Sequence, residues 1–405
     1  MSVVVVGLNH RTVPLELLER MTVNATNLPK ALHDLGERSH LNEVVVLSTC
    51  LRTEVYAEAE RFHGALADVR NFLGEWSGEP PEVFSDLLYA YFDDAAVSHL
   101  FTVAAGLDSA VVGEGEILGQ VRDAWERARE ESSAGPAMAR LFRHGLEVGK
   151  RVRTETAIGR GVTSISAAAV AMAAQELGSL SGATVLVVGA GEMGEGMAVA
   201  LADRGAARIL VSSRTGARAE AVAERVRGAT VEIGELDSAL HDVDVVLTGT
   251  GAPGTVLGVD DLSPALARRR GRPLLIVDIA VPRDVDPAVG GLDGVRLLDM
   301  DDLVAFADAG MASRHGEVDR VRGIVTEEVE RYQADSAVRR VAPIVAALHD
   351  QAETVRQAEL ERLAGRLAGL DDRQREAVEA LTRGLVAKLL HEPTVRLKGE
   401  AGSAR

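Results

Sequence analysis

One cysteine in 405 residues excludes an internal disulfide framework and fits a reducing compartment. No stretch approaches the apolar length of a membrane span. The opening run Met1-Ser2-Val3-Val4-Val5-Val6-Gly7 lacks a basic flank and is too short for the core of a signal peptide. A cytoplasmic protein is expected. A basic excess is also missing. The 44 Lys and Arg stand against 61 Asp and Glu, a net charge of −17, which argues against general affinity for nucleic acid because such affinity needs phosphate neutralisation. A local patch is still open: 138–160 carries Arg140, Arg143, Lys150, Arg151, Arg153 and Arg160 against Glu147 and Glu155. The plainer account of that patch is a solvated helix face.

What is present describes a soluble globular chain, 46% apolar and 26% charged. Its length exceeds what one core serves, so two or three domains are expected. Up to about residue 158, strand-like runs occur at Val3–Gly7, Glu43–Leu47 and Thr53–Glu58, and helical periodicity at Ala25–Gly36, Gly64–Trp76 and Ala95–Ala105. That β-α-β-β-α order predicts a split βαβ sheet of the ferredoxin-like kind. An Ala-rich helical stretch, Thr163–Leu180, leads into the next unit.

From Ala183 strands and helices alternate. Ala183–Val188 is a short continuous apolar run, as a parallel strand buried on both faces should be. Gly189-Ala190-Gly191-Glu192-Met193-Gly194 follows at once, and helical Glu195–Arg204 follows that. This is G-x-G-x-x-G in its required setting of strand, turn and helix, where the glycines admit a pyrophosphate to a helix N-terminus. The alternative is a plain Gly-rich turn. The next strand, Arg208–Val211, ends in Ser212-Ser213-Arg214-Thr215, donors suited to a ribose 2′-phosphate where an NAD site offers Asp or Glu. NADPH is therefore expected rather than NADH, unless Arg214 merely points into solvent. Further strands are predicted at Val243–Leu247 and Leu274–Val277; the loops after them, Thr248–Pro253 and Asp278–Asp284, would face the nicotinamide half or serve as ordinary turns.

From about Met300 the chain reads as helical. Leu360, Leu363, Leu367 and Leu370 recur at 3-4-3 spacing and Val378, Leu381 and Leu385 at 3-4, with a helix break and N-cap at Asp371-Asp372. Two helices cannot bury such stripes alone, so a homodimer is predicted over packing against a long helix near Ser313–Ser336. The fold class is then multidomain α/β: a ferredoxin-like α+β catalytic domain (1–158), a Rossmann NADP-binding domain (159–300) and an all-helical dimerisation domain (301–405).

The lone thiol, Cys50, stands in Leu47-Ser48-Thr49-Cys50-Leu51-Arg52-Thr53-Glu54, just after the apolar run Val44–Leu47. A nearby guanidinium favours a thiolate, the nucleophilic form, so Arg52 makes Cys50 a candidate nucleophile. A buried thiol packing as a small hydrophobe is the alternative.

With these residues laid out, the chain resembles glutamyl-tRNA reductase from Gly7-Leu8-Asn9-His10 to Leu389-Leu390-His391-Glu392-Pro393. The most specific matches are Ser48–Glu54, Gly106-Leu107-Asp108-Ser109, Gly113–Gln120 and Gly149–Thr156. The family reduces the activated ester of glutamyl-tRNA(Glu) to glutamate-1-semialdehyde with NADPH, opening the five-carbon route to tetrapyrroles. The resemblance implies that Cys50 forms a thioester, which divides one hard step into two. It implies that Thr49, Leu51 and Arg52 lie in the loop holding the glutamyl group, with Arg52 as bidentate partner of its carboxylate. Ser109, Glu114, Gly115, Glu116 and Gln120 fall at the remaining substrate positions. His99 falls where the family has a histidine important for activity, as general acid or polarising donor, although a lone histidine on an apolar helix is more often packed. Cofactor binding is implied for Gly189, Ala190, Gly191, Glu192, Met193, Gly194, Ser213, Arg214 and Thr215, and no metal. The chain departs from the family at Leu51 (usually Asn), at Gly115-Glu116 (usually Pro-Gln) and at Ser213 (usually Asn). A glutamate-1-semialdehyde aminotransferase is a further implied partner, since the aldehyde is labile. The rival readings are another NADP-dependent oxidoreductase of shikimate-dehydrogenase-like type and a non-catalytic NADP- or tRNA-binding relative.

Overall fold

The computed structural model describes residues 2–159, 164–252, 254–310 and 315–403. It divides into two units, Met1–Val325 and Thr326–Arg405. The first unit opens with β1 (Ser2–Asn9), the helices Leu15–Met21 and Leu28–Gly36, and the hairpin strands β2 (Leu41–Ser48) and β3 (Arg52–Ala59). The helix Phe62–Ser77 leads to β4 (Tyr89–Phe92). The strands pair antiparallel in the order β2-β3-β1-β4, which is the ferredoxin-like arrangement. Val4, Val5 and Val6 of β1 and Val44–Leu47 of β2 are buried without alternation, so these strands read as apolar runs. β4 escaped the sequence reading because it is a four-residue edge strand whose Tyr91 and Phe92 are exposed. The helices Asp94–Ala104, Glu116–Glu130 and Pro136–Glu155 complete this half.

The second sheet holds β5 (Thr184–Val188), β6 (Arg208–Ser212), β7 (Ala229–Thr230), β8 (Val245–Thr248), β9 (Leu274–Asp278) and β10 (Val295–Leu298). All neighbours pair parallel, in the order β10-β9-β8-β5-β6-β7. This doubly wound order reverses between β5 and β8, so a ligand crevice lies beyond their carboxyl ends. The helix before the sheet runs Ile165–Leu177, with the Ser164 side chain accepting from the Ala167 N–H at 3.0 Å; Thr163, where it was expected to start, lies outside the described residues.

The second unit is helical. The helix expected near Ser313–Ser336 runs His315–Arg362, and Asp372–Ser403 follows a short turn of helix at Ala364–Leu367. Asp371 caps the last helix reciprocally: its carboxylate accepts from the Gln374 N–H at 2.8 Å, and Gln374 Oε1 accepts from the Asp371 N–H at 3.1 Å. Leu360, Leu363, Leu367, Val378 and Leu385 line one apolar groove of about 700 Å³. Leu381, Leu385 and Leu389 remain 63%, 52% and 72% exposed, so the hairpin leaves an apolar face uncovered.

Candidate active site

Cys50 sits in the turn between β2 and β3. The turn is closed by the Thr49 N–H donating to the Arg52 carbonyl at 2.8 Å and the Leu51 N–H donating to Thr49 Oγ1 at 3.2 Å. The His10 N–H, at the end of β1, donates to the Leu51 carbonyl at 3.0 Å. Ser48 Oγ meets Thr53 Oγ1 at 2.9 Å and accepts from the Val23 N–H at 2.8 Å. The turn is thus tied to β1 and to the chain leaving the helix Leu15–Met21. The Leu51 side chain is buried, which gives this apolar residue a packing role where the family has Asn; Cys50 keeps part of its surface open.

Beside the thiol turn lies a buried ion-pair knot. Arg52, 2% exposed, donates through Nη1 to Glu54 Oε1 at 2.7 Å, lies 3.0 Å from Asp108 Oδ2, and donates through Nη2 to the Asp108 carbonyl at 2.7 Å. Glu54 also accepts from Tyr56 (2.7 Å) and Tyr89 (2.6 Å), and His99 Nε2 meets Glu54 Oε1 at 2.8 Å. Burial alone would raise the Glu54 pKa, but Arg52, His99 and the Tyr56 hydroxyl outweigh it and hold the carboxylate well below its usual range. Burial works against Arg52 in the same way and is outweighed by Glu54, Tyr89 and Asp108. Glu54, His99 and Asp108 offer ligand atoms within 4.8 Å of one another, and the Arg52 guanidinium pairs with the two carboxylates of that group. His99 therefore meets Glu54 and is ringed by Tyr56, Tyr89 and Tyr91.

The loop before the helix Glu116–Glu130 and its first turns carry the remaining residues expected at the substrate. The Glu114 carboxylate accepts from the Glu116 N–H (2.7 Å), the Ile117 N–H (3.0 Å) and Ser109 Oγ (3.1 Å), so it caps that helix and fixes Ser109. Gly115 adopts φ −87°, open to any residue, with space where a Cβ would stand. Gly113, at φ +83°, has no such latitude, since a Cβ there would lie 2.3 Å from the Ile158 carbonyl. Gln120 is half-buried one turn along the helix. Asp108 is further held by Arg11 at 3.0 Å and by Asn9 Nδ2 at 3.3 Å.

The thiol differs from expectation. Burial raises its pKa to about 12, with Glu116 and Glu114 adding to the rise, and Arg52 opposes them too weakly because its charge is spent on Glu54 and Asp108. Glu116 itself is raised to about 7 by burial, by Glu114 and by Glu192 of the Gly-rich turn. The substrate loop and the cofactor turn therefore lie within electrostatic reach of each other.

In the cofactor half, Gly189 follows β5 at φ +115°, where a Cβ would stand 2.7 Å from the Gly249 carbonyl; at Gly194 it would stand 1.9 Å from the Gly189 carbonyl. Ala190 and Gly191 lead into the helix Glu192–Asp203, whose first turn holds Met193 and Gly194. After β6, Ser213 Oγ accepts from the Thr215 N–H at 3.4 Å, and Arg214 is exposed without a carboxylate partner among the described residues. A turn closed to side chains at Gly189 and Gly194, opening a helix at the carboxyl edge of the sheet, fits the pyrophosphate of a dinucleotide. Asp278 bonds to Thr248, Ala280 and Val285, and Asp284 to Thr250; burial raises the Asp284 pKa to about 6.

The basic strip splits. Arg140, Arg143 and Lys150 are exposed on the helix Pro136–Glu155, whereas Arg153 turns inward and donates to the carbonyls of Ala104 (3.1 Å), Gly149 (2.9 Å) and Glu114 (2.8 Å). Arg151 pairs with Glu155 at 2.9 Å, and Arg160 lies outside the described residues. Sequence reasoning missed Asp108, Glu54 and His10 as members of the site. The period-2 alternation of Arg52, Glu54 and Tyr56 puts Glu54 on the Arg52 face, but alternating Arg and Glu read as a solvent face, which hid it. His10, with both ring nitrogens buried and unpartnered and a pKa lowered by burial to about 4, had no signal.

Fold and site define a nicotinamide-dependent oxidoreductase whose substrate domain carries a thiol. Comparison with known proteins narrows the class. Residues 6–156 match the N-terminal domain of glutamyl-tRNA reductase, 320–405 its dimerisation domain, and 171–306 shikimate/quinate 5-dehydrogenase. The last match covers only the Rossmann half. A glutamyl-tRNA reductase of Brevibacillus brevis is 39% identical, covering 100% of this chain and 89% of that protein. One from Frankia alni is 41% identical over 100% of this chain and 93% of its own. The structure of glutamyl-tRNA reductase from Methanopyrus kandleri is 36% identical with a TM-score of 0.50, covering 98% of each chain. The chain belongs to the glutamyl-tRNA reductase family.

Glu116 carries its charge above about pH 7, so Glu116→Gln should lower the thiol pKa by about one unit by removing a like charge. The pH dependence of Cys50 alkylation reads this directly, as no other thiol exists. An unmoved or upward-shifted profile would show that Glu116 does not act on Sγ.

Proposed function

We propose that this protein reduces the glutamyl ester of tRNA(Glu) to glutamate-1-semialdehyde with NADPH, releasing tRNA, as the first step of five-carbon-pathway tetrapyrrole biosynthesis. The observation that carries the reading is a single thiol, Cys50, pinned in a turn against the Arg52–Asp108 knot, in a chain of this family. Residues 1–158 serve the substrate, 159–300 the cofactor and 301–405 dimerisation.

Cys50 gives up its proton and Sγ attacks the ester carbonyl. The bond to the ribose oxygen breaks, that oxygen takes a proton, and the glutamyl group stays as a thioester. The Arg52 hydrogen bonds leave Nε and the second Nη2 hydrogen without an acceptor among the described residues. That edge suits the substrate's side-chain carboxylate in a bidentate pair. Thr49, Ser109, Gly115, Glu116 and Gln120 line the same substrate position, Leu51 packs behind the turn rather than facing it, and Glu114 shapes it through its cap. His99 serves by holding Glu54 charged and, through it, Arg52 in place. The turn Gly189–Gly194 receives the pyrophosphate, and Ser213, Arg214 and Thr215 the 2′-phosphate. When bound, NADPH supplies a hydride to the thioester carbonyl carbon. Cys50 then leaves as the C–S bond breaks, frees the aldehyde and takes up a proton.

The exposed Leu381, Leu385 and Leu389 and the matched dimerisation domain support a homodimer through the C-terminal helices. The lability of the aldehyde calls for a docked glutamate-1-semialdehyde aminotransferase. No helix among the described residues is long and apolar enough to cross a membrane, which agrees with a cytoplasmic site of action.

Turnover of glutamyl-tRNA with NADPH tests the reading. Cys50→Ala should form no acyl-enzyme and lose about a thousandfold or more in rate; full turnover by this variant would end the thioester mechanism.

Arg214→Ala should weaken NADPH binding about 10- to 100-fold, the worth of a charge-assisted pair, and barely change NADH binding. Equal losses for both cofactors would place Arg214 on their shared part.

Arg140, Arg143 and Lys150 are the exposed cations of the strip. Replacing all three with Ala should weaken tRNA binding and flatten its salt slope by about two, at roughly 0.7–0.9 per phosphate contact. An unchanged slope with NADPH binding intact would move the tRNA elsewhere.

A further inference from the structure

Arg283 is a cation the reaction above does not use. It lies in the loop after β9, at the carboxyl edge of the Rossmann sheet where the nicotinamide half of a dinucleotide binds. Its guanidinium reaches across to the substrate domain. Nη1 lies 3.4 Å from Glu16 Oε1 and Nε 4.0 Å from Glu19 Oε1, while the Arg283 backbone N–H donates to Glu19 Oε1 at 3.2 Å. Nη2 faces Asp299 Oδ2 at 3.6 Å within the cofactor domain. Asp299 is itself fixed, because its other oxygen accepts from the Asp301 and Asp302 N–H groups at the start of the helix Met300–Gly310. Glu16 is exposed, but Arg283 and Glu19 are each 17% exposed, so the Glu19 side of the contact is not the freely solvated kind of pair that contributes little.

The contact leads to the nucleophile. Glu16 and Glu19 stand on the helix Leu15–Met21, whose Leu15, Leu17, Leu18 and Met21 are buried in the substrate domain. Two residues past that helix, the Val23 N–H holds Ser48 Oγ, which bonds to Thr53 across the Cys50 turn. One rigid element thus joins the nicotinamide edge to the turn that carries the thiol.

We propose that Arg283 is a positioning residue for the reduction step. It holds the substrate domain in register over the cofactor domain, so that an acyl group on Cys50 lies in reach of the nicotinamide edge. Acyl transfer from tRNA to Cys50 uses groups of the substrate domain alone and does not need this contact. The inference rests on the thioester reading, and the two are separable by experiment.

The test uses full-length protein in two single-turnover measurements. Radiolabelled glutamyl-tRNA without NADPH gives the rate of Cys50 acylation, and NADPH added to the acyl-enzyme gives the rate of reduction. For Arg283→Ala, acylation and NADPH affinity should stay within about twofold of wild type, and reduction should fall about tenfold or more, a ΔΔG‡ near one decade of rate or above. Arg283→Lys, which keeps the charge but loses the fork, should recover part of the rate. Glu16→Gln with Glu19→Gln reaches the same contact from the other side and should reproduce the split if Arg283→Ala fails to fold. Reduction at the wild-type rate in these variants would overturn the proposal, as would equal losses in acylation, NADPH affinity and reduction, which would mark Arg283 as a purely structural residue. Failure of the wild-type protein to acylate Cys50 would instead overturn the thioester reading.

Discussion

A buried guanidinium governs the substrate half of this protein. Removing a charge from water costs several kcal/mol even after relaxation, so Arg52 persists at 2% exposure only because three segments converge on it. β3 supplies Glu54, the loop after the helix Asp94–Ala104 supplies Asp108, and the end of β1 and the turn after it supply Asn9 and Arg11, which hold Asp108 in turn. Glu54 then draws in His99, Tyr56 and Tyr89. Breaking such a pair leaves an uncompensated charge at a cost of about 3–5 kcal/mol. Substitution of Arg52 therefore carries loss of fold with it, and even Lys, lacking the planar fork, cannot serve all partners.

The same knot sets the state of the thiol. A guanidinium two residues away suggests an activated cysteine, but its field is already balanced by Glu54 and Asp108. What remains around Sγ is protein crowding and the carboxylates Glu116 and Glu114. Crowding and these carboxylates therefore favour the neutral thiol over the thiolate in this arrangement. Sequence adjacency gave the right neighbour and the wrong sign of the net effect, because a charge acts on a site only to the extent that it is not already paired.

Much of the scaffold was legible. β1, β2, β5, β6, β8 and β9 coincide with apolar runs, since strands covered on both faces must be apolar along their length, and β3 with the strand-like stretch Thr53–Glu58. β4, β7 and β10 lie at sheet edges, are two to four residues long and hold exposed side chains, so no period could mark them. The Gly-rich turn was legible because its backbone geometry admits only glycine at positions 189 and 194. The Arg52 knot was not. Period 2 places Arg52, Glu54 and Tyr56 on one face of β3, yet Arg and Glu in alternation read as a solvent face. Asp108, which completes the buried cluster, arrives from 56 residues away in sequence.

Charge counting met a similar limit on the helix Pro136–Glu155. Lys150 and Arg153 are three residues apart, a spacing that puts them on one helical face. Near the helix end, however, the long Arg153 side chain folds back, and its guanidinium satisfies carbonyls of Ala104 and Glu114 that β or helix pairing leaves open. That bond fixes the end of the Glu114 loop, the same loop whose carboxylate caps the next helix and holds Ser109. Arg153 thus belongs to the architecture of the substrate loop, and the anion-attracting surface of an acidic protein is narrower than its list of cations. Exposed guanidinium and ammonium groups attract phosphate; one that is committed to carbonyls organises the chain instead.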